Sequence, residues 1–521
     1  MTAGVTASSE PPRDQGASAR TQIRGSSLLL GGQSFSVLVN LLVQILIVRY
    51  LTKSGYGAFA YMLAVVAIAQ TVAAFGLRHG IGRFMPIYEE RGDLAKAGGA
   101  LLFSLLTVLS LGVVLAGAVI VLRGVVAGGV DTDDAVTLLT IMIFLAPLFA
   151  VGMVLDGAFA VFARPRAIVF RRFLLIPILR LAVAGVMIAS GAGVIFLAAG
   201  YVVVELVGLA AYAPLLLPAL RRRGLLRHMR PGALDLPVRE LLGFSAPLLT
   251  NDLSAAALNF AGAIIVGALA GAQEVATLRS VFPVVLTMGY VLTSFGILFI
   301  PLASRLYARG ETAELNHLYW QTASWTTLLA YPIFATSVIL AEPVTELLFG
   351  DRYSSSAPVL AILAVGLFLN TAAGHNGVVL GVFGRVKFIM LVNAITVATN
   401  IGLAFALVPA HGALGAAIAI AIAYMVMNGL RQVGLVRQTT VRAVEPAYVA
   451  VLVTAALVTV AGLAVQLALS PPLYLGVVLI GACCTAVFLS VHRYLRLLDT
   501  FPELGRLPLL GRLLRAAEGA G

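Results

Sequence analysis

Long apolar runs alternate along the chain with short polar segments. Fourteen of these runs are long enough to cross a bilayer, because a membrane-spanning helix needs about 20 mainly apolar residues. They cover residues 26–48, 56–77, 99–122, 135–162, 168–190, 194–219, 244–270, 278–301, 318–340, 357–380, 388–408, 412–430, 447–469 and 473–491. The pattern predicts an all-α polytopic membrane protein with about fourteen transmembrane helices.

The composition supports this fold class. Hydrophobic residues make up 60% of the 521 residues, and Asp, Glu, Lys and Arg together make up only 11%, against about 25% in soluble domains. The mean hydropathy is +1.00. This balance excludes both a soluble fold and a disordered chain. The two cysteines, Cys483 and Cys484, are adjacent in an apolar run and indicate neither a disulfide framework nor a metal site.

The basic residues are unevenly divided between the two sides of the predicted helices. With the N-terminus in the cytoplasm, the inner segments hold 29 of the 35 lysines and arginines, the outer loops hold five, and Arg180 lies within a helix. Cytoplasmic loops of membrane proteins carry such an excess. We therefore expect a multi-pass protein of the cell inner (cytoplasmic) membrane with both termini in the cytoplasm. The net charge of +12 belongs to these loops and does not indicate nucleic-acid binding.

Two motifs recur at nearly the same offset. AVFARPR at 160–166 resembles GVFGRVK at 381–387, at an offset of 221, and the Arg-Gly pair of YEERGD at 88–93 recurs in YARGET at 307–312, at an offset of 218. Chance matching of apolar sequence is the alternative. Six helices per repeat is an even number, so the repeats share one orientation and are related by an axis along the membrane normal. Repeated lobes of this kind are typical of transporters.

The repeat divides the chain into predicted regions. Two six-helix lobes, a C-terminal helix pair and three polar segments account for all of it. They are a disordered cytoplasmic tail at 1–22, an N-lobe at 23–220, a basic cytoplasmic linker at 221–243, a C-lobe at 244–442, helices 13 and 14 at 443–491, and a basic amphipathic cytoplasmic tail at 492–521. The Arg-Leu pattern of the last segment predicts that it lies on the inner membrane surface.

Residues 25–93 carry a family resemblance. An apolar helix that ends in Val-Arg-x-Leu is followed by a Gly-x-Phe turn, by Phe-Gly-Leu and by an inner loop containing Arg-Phe. The matching residues are Arg49, Leu51, Gly55, Gly57, Phe59, Phe75, Gly76, Leu77, Arg83 and Phe84. The segment resembles polysaccharide transporters, the O-antigen-type flippases of the multidrug/oligosaccharidyl-lipid/polysaccharide flippase superfamily. That superfamily also includes lipid II flippases and multidrug antiporters.

The resemblance implies a function. A flippase of this kind moves a lipid-linked oligosaccharide, of the polyprenyl diphosphate type, across the membrane by alternating access of its two lobes. Its partners would be that substrate, membrane lipids, and a glycan polymerase or glycosyltransferases. Two departures leave the subfamily open: the first helix has no acid of the kind that some drug antiporters use for coupling, and fourteen helices match lipid II flippases better than the twelve-helix O-antigen flippases.

Ionisable side chains inside predicted helices are costly and are therefore functional candidates. Asp156 and Arg180 each lie eight residues from the inner loop, at a depth of about 12 Å, on consecutive helices. We predict that they pair, which would leave free guanidinium donors for a diphosphate; a purely structural ion pair is the alternative. Glu205 has no assigned partner and is a candidate for proton coupling, or a protonated acid bonded to a neighbouring helix.

A second set of residues predicts ion coupling and edge contacts. Asp252, Asn393 and Asn400 supply oxygen ligands that suit Na⁺ or H⁺, and some lipid II flippases have a cation site in the second lobe; hydrogen bonding between helices is the alternative. Arg49 and Arg83 lie at opposite membrane edges, where in a flippase they would meet the diphosphate. The alternative is snorkelling to the interface.

Rival functions are less well supported. The longest outer loops, 123–134 and 341–356, are short for a membrane glycosyltransferase or polymerase, and the phosphate-binding motif GxxxxGK[ST] does not occur in the sequence. We therefore expect no catalytic residues and no cofactor beyond a coupling ion, H⁺ or Na⁺. Drug antiport stays open, and a central cavity rich in acids and aromatics and poor in arginine would favour it.

Overall fold

The computed structural model describes residues 15–129, 134–228, 235–442 and 445–495. The described residues form helices and no strands. We number the long helices α1 to α14 in chain order: α1 Gln15–Tyr50, α2 Lys53–Glu90, α3 Leu94–Val121, α4 Ala135–Val161, α5 Pro165–Ser190, α6 Val194–Arg222, α7 Val238–Ala270, α8 Ala272–Arg309, α9 Thr312–Ile339 with Ala341–Phe349, α10 Asp351–Val382, α11 and α12 within Val386–Gln438, α13 Pro446–Leu469 and α14 Leu473–Leu495.

The helices agree with fourteen membrane passes. Twelve are long and apolar enough to cross a bilayer, and the two segments of α9, bent by 88°, form a thirteenth. The helical run Val386–Gln438 has 53 residues, about 80 Å if straight, which is more than twice the thickness of a hydrocarbon core. Gly412, with φ 51° and ψ −130°, breaks this run, so α11 precedes Gly412 and α12 follows it.

The repeated motifs form the same turn in both lobes. In each of the four turns, a residue in the left-handed region is followed by one whose backbone N–H donates to the carbonyl five residues earlier, at 2.9 or 3.0 Å. This is a common way to end a helix. The left-handed residues, with φ of 52°, 72°, 73° and 74°, are Ala163, Gly384, Gly92 and Gly310. The two lobes therefore repeat local backbone geometry at the offsets that the sequence indicated.

The buried apolar residues form three clusters. The largest runs through both lobes and includes Val48 of α1 and Val281 of α8. Two smaller clusters belong to separate lobes: Met85 lies in the first, which also contains Leu241 from the start of α7, and Phe299 lies in the second. We call the membrane face at which α6 ends and α7 begins the basic face. The lobes therefore share a core toward the opposite face and have separate cores near the basic face.

Several predicted boundaries are corrected by the structure. α1 begins at Gln15, so the last residues of the predicted N-terminal tail are helical. α2 does not end near residue 77: Phe75 and Gly76 break it, and a second segment, Leu77–Glu90, continues it. Gly76 has φ 65°, and a Cβ there would lie 2.6 Å from the carbonyl oxygen of Ser245 in α7. Residues 1–14, 130–133, six residues of the basic linker (229–234), 443–444 and 496–521 lie outside the described residues.

Close helix packing in the C-lobe gives a first prediction. A Cβ on Gly366 of α10 would lie 2.6 Å from the Cα of Ala421, and small residues let membrane helices approach. We expect Gly366→Ala to lower the thermal unfolding temperature of the purified protein in detergent. Gly402→Ala is the control, because nothing lies within 4 Å of that position and alanine favours a helix over glycine by about 0.5–1 kcal/mol. An unfolding temperature for Gly366→Ala equal to that of Gly402→Ala would contradict the packing.

Candidate functional site: a cavity between the lobes

A cavity of about 650 Å³ lies between the lobes and is lined by residues of α1, α2 and α4 to α8. The side chain of Arg172, on its wall, is 54% exposed, whereas Val43, at the end nearest the opposite face, is 2% exposed. The cavity is closed toward the opposite face, where the lobes are in contact: a Cβ on Gly57 of α2 would lie 1.8 Å from the carbonyl oxygen of Ala272 in α8. Its charged lining residues are five arginines and two acids, a formal charge of +3: Arg78, Arg171, Arg172, Arg180, Arg279, Asp156 and Glu205.

The arginine wall of the cavity comes from an irregular part of α5. Residues Val169–Leu175 form a π-helical turn, and such turns are often found at functional sites. Pro177 follows it and has no N–H to donate to the carbonyl four residues earlier, so the regular bonding of the preceding turn is interrupted. The wider turn carries Arg171 and Arg172 side by side, one directed into the bundle and one toward the cavity mouth.

Arg171 is the buried cation of the N-lobe, with 3% of the residue exposed. It forms an ion pair with Glu205 of α6, and its Nη1 lies 3.6 Å from Oδ1 of Asp156 in α4. The Tyr212 hydroxyl donates to the same carboxylate, and the guanidinium carbon lies 4.8 Å from the centre of the Tyr212 ring. Four residues on three helices thus form one buried polar cluster, which we call the N-lobe charge cluster.

Gly152 of α4 provides the space for this guanidinium. A Cβ at position 152 would lie 2.7 Å from Nη2 of Arg171 and 3.0 Å from Nη1. The charge cluster therefore depends on a glycine as well as on its charged members. Since both acids already contact Arg171, it serves as a fixed structural cation, and we do not assign it to substrate.

The predicted ion pair between Asp156 and Arg180 is wrong. Asp156 pairs instead with Arg171 and with Arg172, whose Nη1 lies 3.7 Å from Oδ2 of Asp156. The depth estimate for Arg180 assumed a regular α-helix beginning after Arg172, and Arg171 was assigned to the inner loop. Glu205, for which no partner was assigned, is bonded to Arg171.

Arg180 still lines the cavity as predicted. Its guanidinium carbon lies 4.8 Å from the ring centre of Tyr201 and 6.0 Å from that of Phe149, so two aromatic faces support the cation. Its Nε has no hydrogen-bond partner among the described residues. Held by rings and not by a carboxylate, this guanidinium keeps its donors for a ligand.

Arg279 is a cavity residue that the sequence analysis missed. The sequence analysis counts it among the five basic residues on the outer side, at the edge of the predicted run 278–301, but α8 begins at Ala272, so Arg279 lies inside the helix. It donates to the carbonyl of Asn259 at 3.1 Å, and its guanidinium carbon lies 4.9 Å from the ring centre of Phe282. The second lobe thereby contributes a cation to the same cavity.

A stripe of polar side chains on α1 was also missed. Gln33, Ser36, Asn40 and Gln44 recur every three or four residues, on one face of the helix, and all line the cavity with Gln70 of α2. Asn40 donates to the Ser36 carbonyl at 2.7 Å. The spacing of these polar residues within an apolar run was the available signal. The stripe gives the cavity a wall of amide donors and acceptors.

The edge arginines lie outside the cavity lining. Arg49, at the end of α1, donates from Nε to the carbonyl of Leu348 at 2.9 Å. Arg83, in the second segment of α2, has its guanidinium carbon 4.6 Å from the ring centre of Phe244 in α7. Both therefore contact the other lobe, at opposite ends of the molecule.

The predicted ion-coupling residues are not brought together. Asp252 lies 3.4 Å from Nε2 of His79 in α2, and Glu205 belongs to the charge cluster. Asn393 donates to Asn251 at 3.0 Å and accepts from Arg431 at 3.0 Å.

Asn400, the fourth of these residues, stands apart. It is 1% exposed, and neither polar atom of its amide has a hydrogen-bond partner among the described residues. A search of those residues also finds no group of three or more His, Cys, Asp or Glu side chains placed to hold a metal. Among the described residues, Asp252, Glu205 and Asn393 therefore have separate partners, and ion coupling by these residues stays a prediction.

The fold is that of known membrane transporters. Over 91% of this chain and 99% of the other, it matches the lipid II flippase MurJ in an inward closed conformation, with a TM-score of 0.69 and 12% identity. It also matches an inward-facing multidrug resistance MATE family transporter of the MOP superfamily, over 78% of this chain and 96% of the other, with a TM-score of 0.61 and 16% identity. These likenesses show the fold alone.

The family follows from sequence. A family model described as "Polysaccharide biosynthesis protein" matches residues 46–358, more than half of the chain, and the protein belongs to this family. A curated relative, an uncharacterized membrane protein of Methanocaldococcus jannaschii, is 25% identical over 201 residues, which are 36% of this chain. The match spans 40% of the length of that relative. The chain is thus a multi-pass membrane protein of a polysaccharide biosynthesis family with a flippase and transporter fold.

The neighbouring arginines of α5 provide a matched stability test. Removing one partner of a buried ion pair typically costs about 3–5 kcal/mol, because the other charge is left buried and unpaired. We therefore expect Arg171→Gln to lower the unfolding temperature and the yield of monodisperse protein sharply. Arg172→Gln, on the half-exposed side chain, should leave both near the wild type. Equal unfolding temperatures for the two variants would contradict the structural role of Arg171.

Proposed function

We propose that this protein is a flippase for a lipid-linked oligosaccharide of the polyprenyl diphosphate type, acting in cell-surface polysaccharide synthesis. One observation carries the proposal: the cavity between the lobes has a formal charge of +3, and Arg180 on its wall forms no ion pair and has an Nε without a hydrogen-bond partner among the described residues. A polar, anionic head group needs such a cavity to cross an apolar bilayer. Membership of the polysaccharide biosynthesis family supports the same function.

The basic face is the cytoplasmic face in this proposal. The inner segments of the predicted helices hold 29 basic residues and the outer loops hold five, and this difference supports the orientation. Both termini would then lie in the cytoplasm, and the protein would reside in the cytoplasmic membrane. The cavity, closed toward the opposite face, would receive its substrate from the cytoplasmic side, where lipid-linked sugars are assembled.

The two walls of the cavity suit the two parts of such a head group. Arg172, Arg180 and Arg279 present guanidinium groups, whose forked donors match phosphate oxygens. The amides of Asn40 and Gln70, which also line the cavity, would exchange hydrogen bonds with sugar hydroxyls. Asp156 contributes indirectly, by fixing Arg171 and Arg172. The lipid tail would stay in the bilayer while the lobes rock about this site.

The positive cavity distinguishes this function from drug antiport. Cationic drugs are recognised by sites rich in acids, and a formal charge of +3 would repel them. Both acids of this cavity are already paired with Arg171. A lipid II flippase would use the same diphosphate chemistry, so that alternative differs only in the glycan.

We propose that transport is coupled to H⁺ or Na⁺. Arg431 donates to Asn393 and so supplies a fixed positive charge beside the residue predicted to bind a cation. This contact argues against Na⁺ at that position. The pair of His79 and Asp252, which links the lobes, is the more suitable carrier of a coupling proton.

Substitution of Arg180 tests the substrate site. We expect Arg180→Gln to abolish glycan export and Arg180→Lys to impair it, because lysine lacks the forked geometry, with both proteins at normal levels in the membrane. Arg123→Gln, on an exposed residue of the opposite face, is the control and should export normally. Full export by Arg180→Gln would exclude a role for Arg180 in substrate binding.

Deletion of the gene tests the pathway. A strain without this protein should lose surface glycan and accumulate a lipid-linked oligosaccharide on the cytoplasmic side, measured by mass spectrometry of lipid extracts. Accumulation of lipid II in its place would assign the peptidoglycan precursor as substrate. Normal surface glycan with increased drug sensitivity would favour the antiporter.

A further inference from the structure

At the opposite face, two arginines each donate hydrogen bonds to a helix end of the other lobe. Arg49, from the last turn of α1, donates to the carbonyls of Leu347 and Leu348 at the end of the Ala341–Phe349 segment of α9, the latter at 2.9 Å. In return, Arg352 at the start of α10 donates through Nη2 to the carbonyls of Val48 and Arg49, the latter at 2.7 Å.

The C-terminal end of a helix favours binding of a guanidinium. The last four carbonyls of a helix have no partner within the helix, and they carry the negative end of its dipole. A guanidinium there satisfies acceptors and is attracted by the dipole. Each lobe therefore supplies a guanidinium that bonds to the terminal carbonyls of a helix in the other lobe. These bonds form only when the lobes are in contact.

Neighbouring contacts lie at the same junction. The ammonium of Lys53 is 3.1 Å from Oγ of Ser355 and 5.6 Å from the ring centre of Tyr353. A Cβ on Gly57 of α2 would lie 1.8 Å from the carbonyl oxygen of Ala272 in α8. The two lobes thus meet closely where the arginines exchange their contacts.

We propose that Arg49 and Arg352 form a reciprocal latch that holds the opposite face closed, and that the hydrogen bonds of both arginines must break before the cavity can open there. The latch gives Arg49 a gating role in place of the substrate contact that the sequence analysis assigned to it. This inference rests on the alternating access of the proposed function, but its test reads the gate and not the substrate.

Thiol labelling measures the latch. In a background with Cys483 and Cys484 replaced by serine, Asn40→Cys reports whether the cavity is reached by a membrane-impermeant maleimide from outside the cell. Hydrogen bonds that involve a charged donor are stronger than neutral ones. We therefore expect Arg49→Gln and Arg352→Gln each to increase the labelling rate about tenfold, and the double variant to increase it further. Arg123→Gln, the matched control, should leave the rate unchanged.

Cross-linking gives a second reading that does not depend on orientation. A short bifunctional thiol reagent should join Lys53→Cys to Ser355→Cys efficiently with the latch intact, and several-fold less when both arginines are glutamine. Unchanged labelling and unchanged cross-linking in the double variant, with normal elution from a sizing column, would overturn the latch. Normal surface glycan in the deletion strain, together with the expected labelling response of the latch variants, would instead contradict the proposed substrate and leave the latch standing.

Discussion

The N-lobe depends on satisfying a guanidinium inside the membrane. A buried charge without a partner is costly, and Arg171 is surrounded by groups that offset this cost: Glu205, Asp156 and the ring of Tyr212. The π-helical turn of α5 and the absence of a side chain at Gly152 make the arrangement possible. Arg171 contacts both acids of the cavity. The other arginines therefore leave the cavity with a net positive charge that suits an anion.

The two lobes repeat their backbone and differ in their chemistry. Their four helix-ending turns have the same hydrogen bonds, but the C-lobe has a network of amides where the N-lobe has charges. Asn428 links Asn370 and Asn376 at 3.1 Å each, and Arg431 bonds to Asn393. The diphosphate would therefore lie nearer the N-lobe, and the C-lobe would contribute mainly Arg279 and its share of the latch. The proposed binding site would therefore be asymmetric, even though the two lobes around it repeat their backbone geometry.

The sequence predicted the helical class, the number of passes and the repeat, because apolar length, the distribution of basic residues and recurring short motifs can be read from one sequence. It also placed Arg180 in the cavity. It did not show that Arg171, rather than Arg180, pairs with Asp156, since a π-helical turn shifts every residue after it. Arg279 was assigned to a loop because charge was taken to mark a helix boundary, whereas α8 begins seven residues earlier. Contacts such as Arg49 with Leu348 join residues 299 apart and have no signal in one sequence.

The most direct test of the proposed flippase function is the anion selectivity of the cavity. The measurement is the affinity of the purified protein for a polyprenyl diphosphate bearing one sugar, with the neutral polyprenyl glycoside and a quaternary ammonium drug as competitors. We expect tight binding of the diphosphate that weakens with added salt, at least about tenfold weaker binding of the glycoside, and no competition by the drug. Preferential binding of the cationic drug, or equal affinity for the diphosphate and the neutral glycoside, would contradict it.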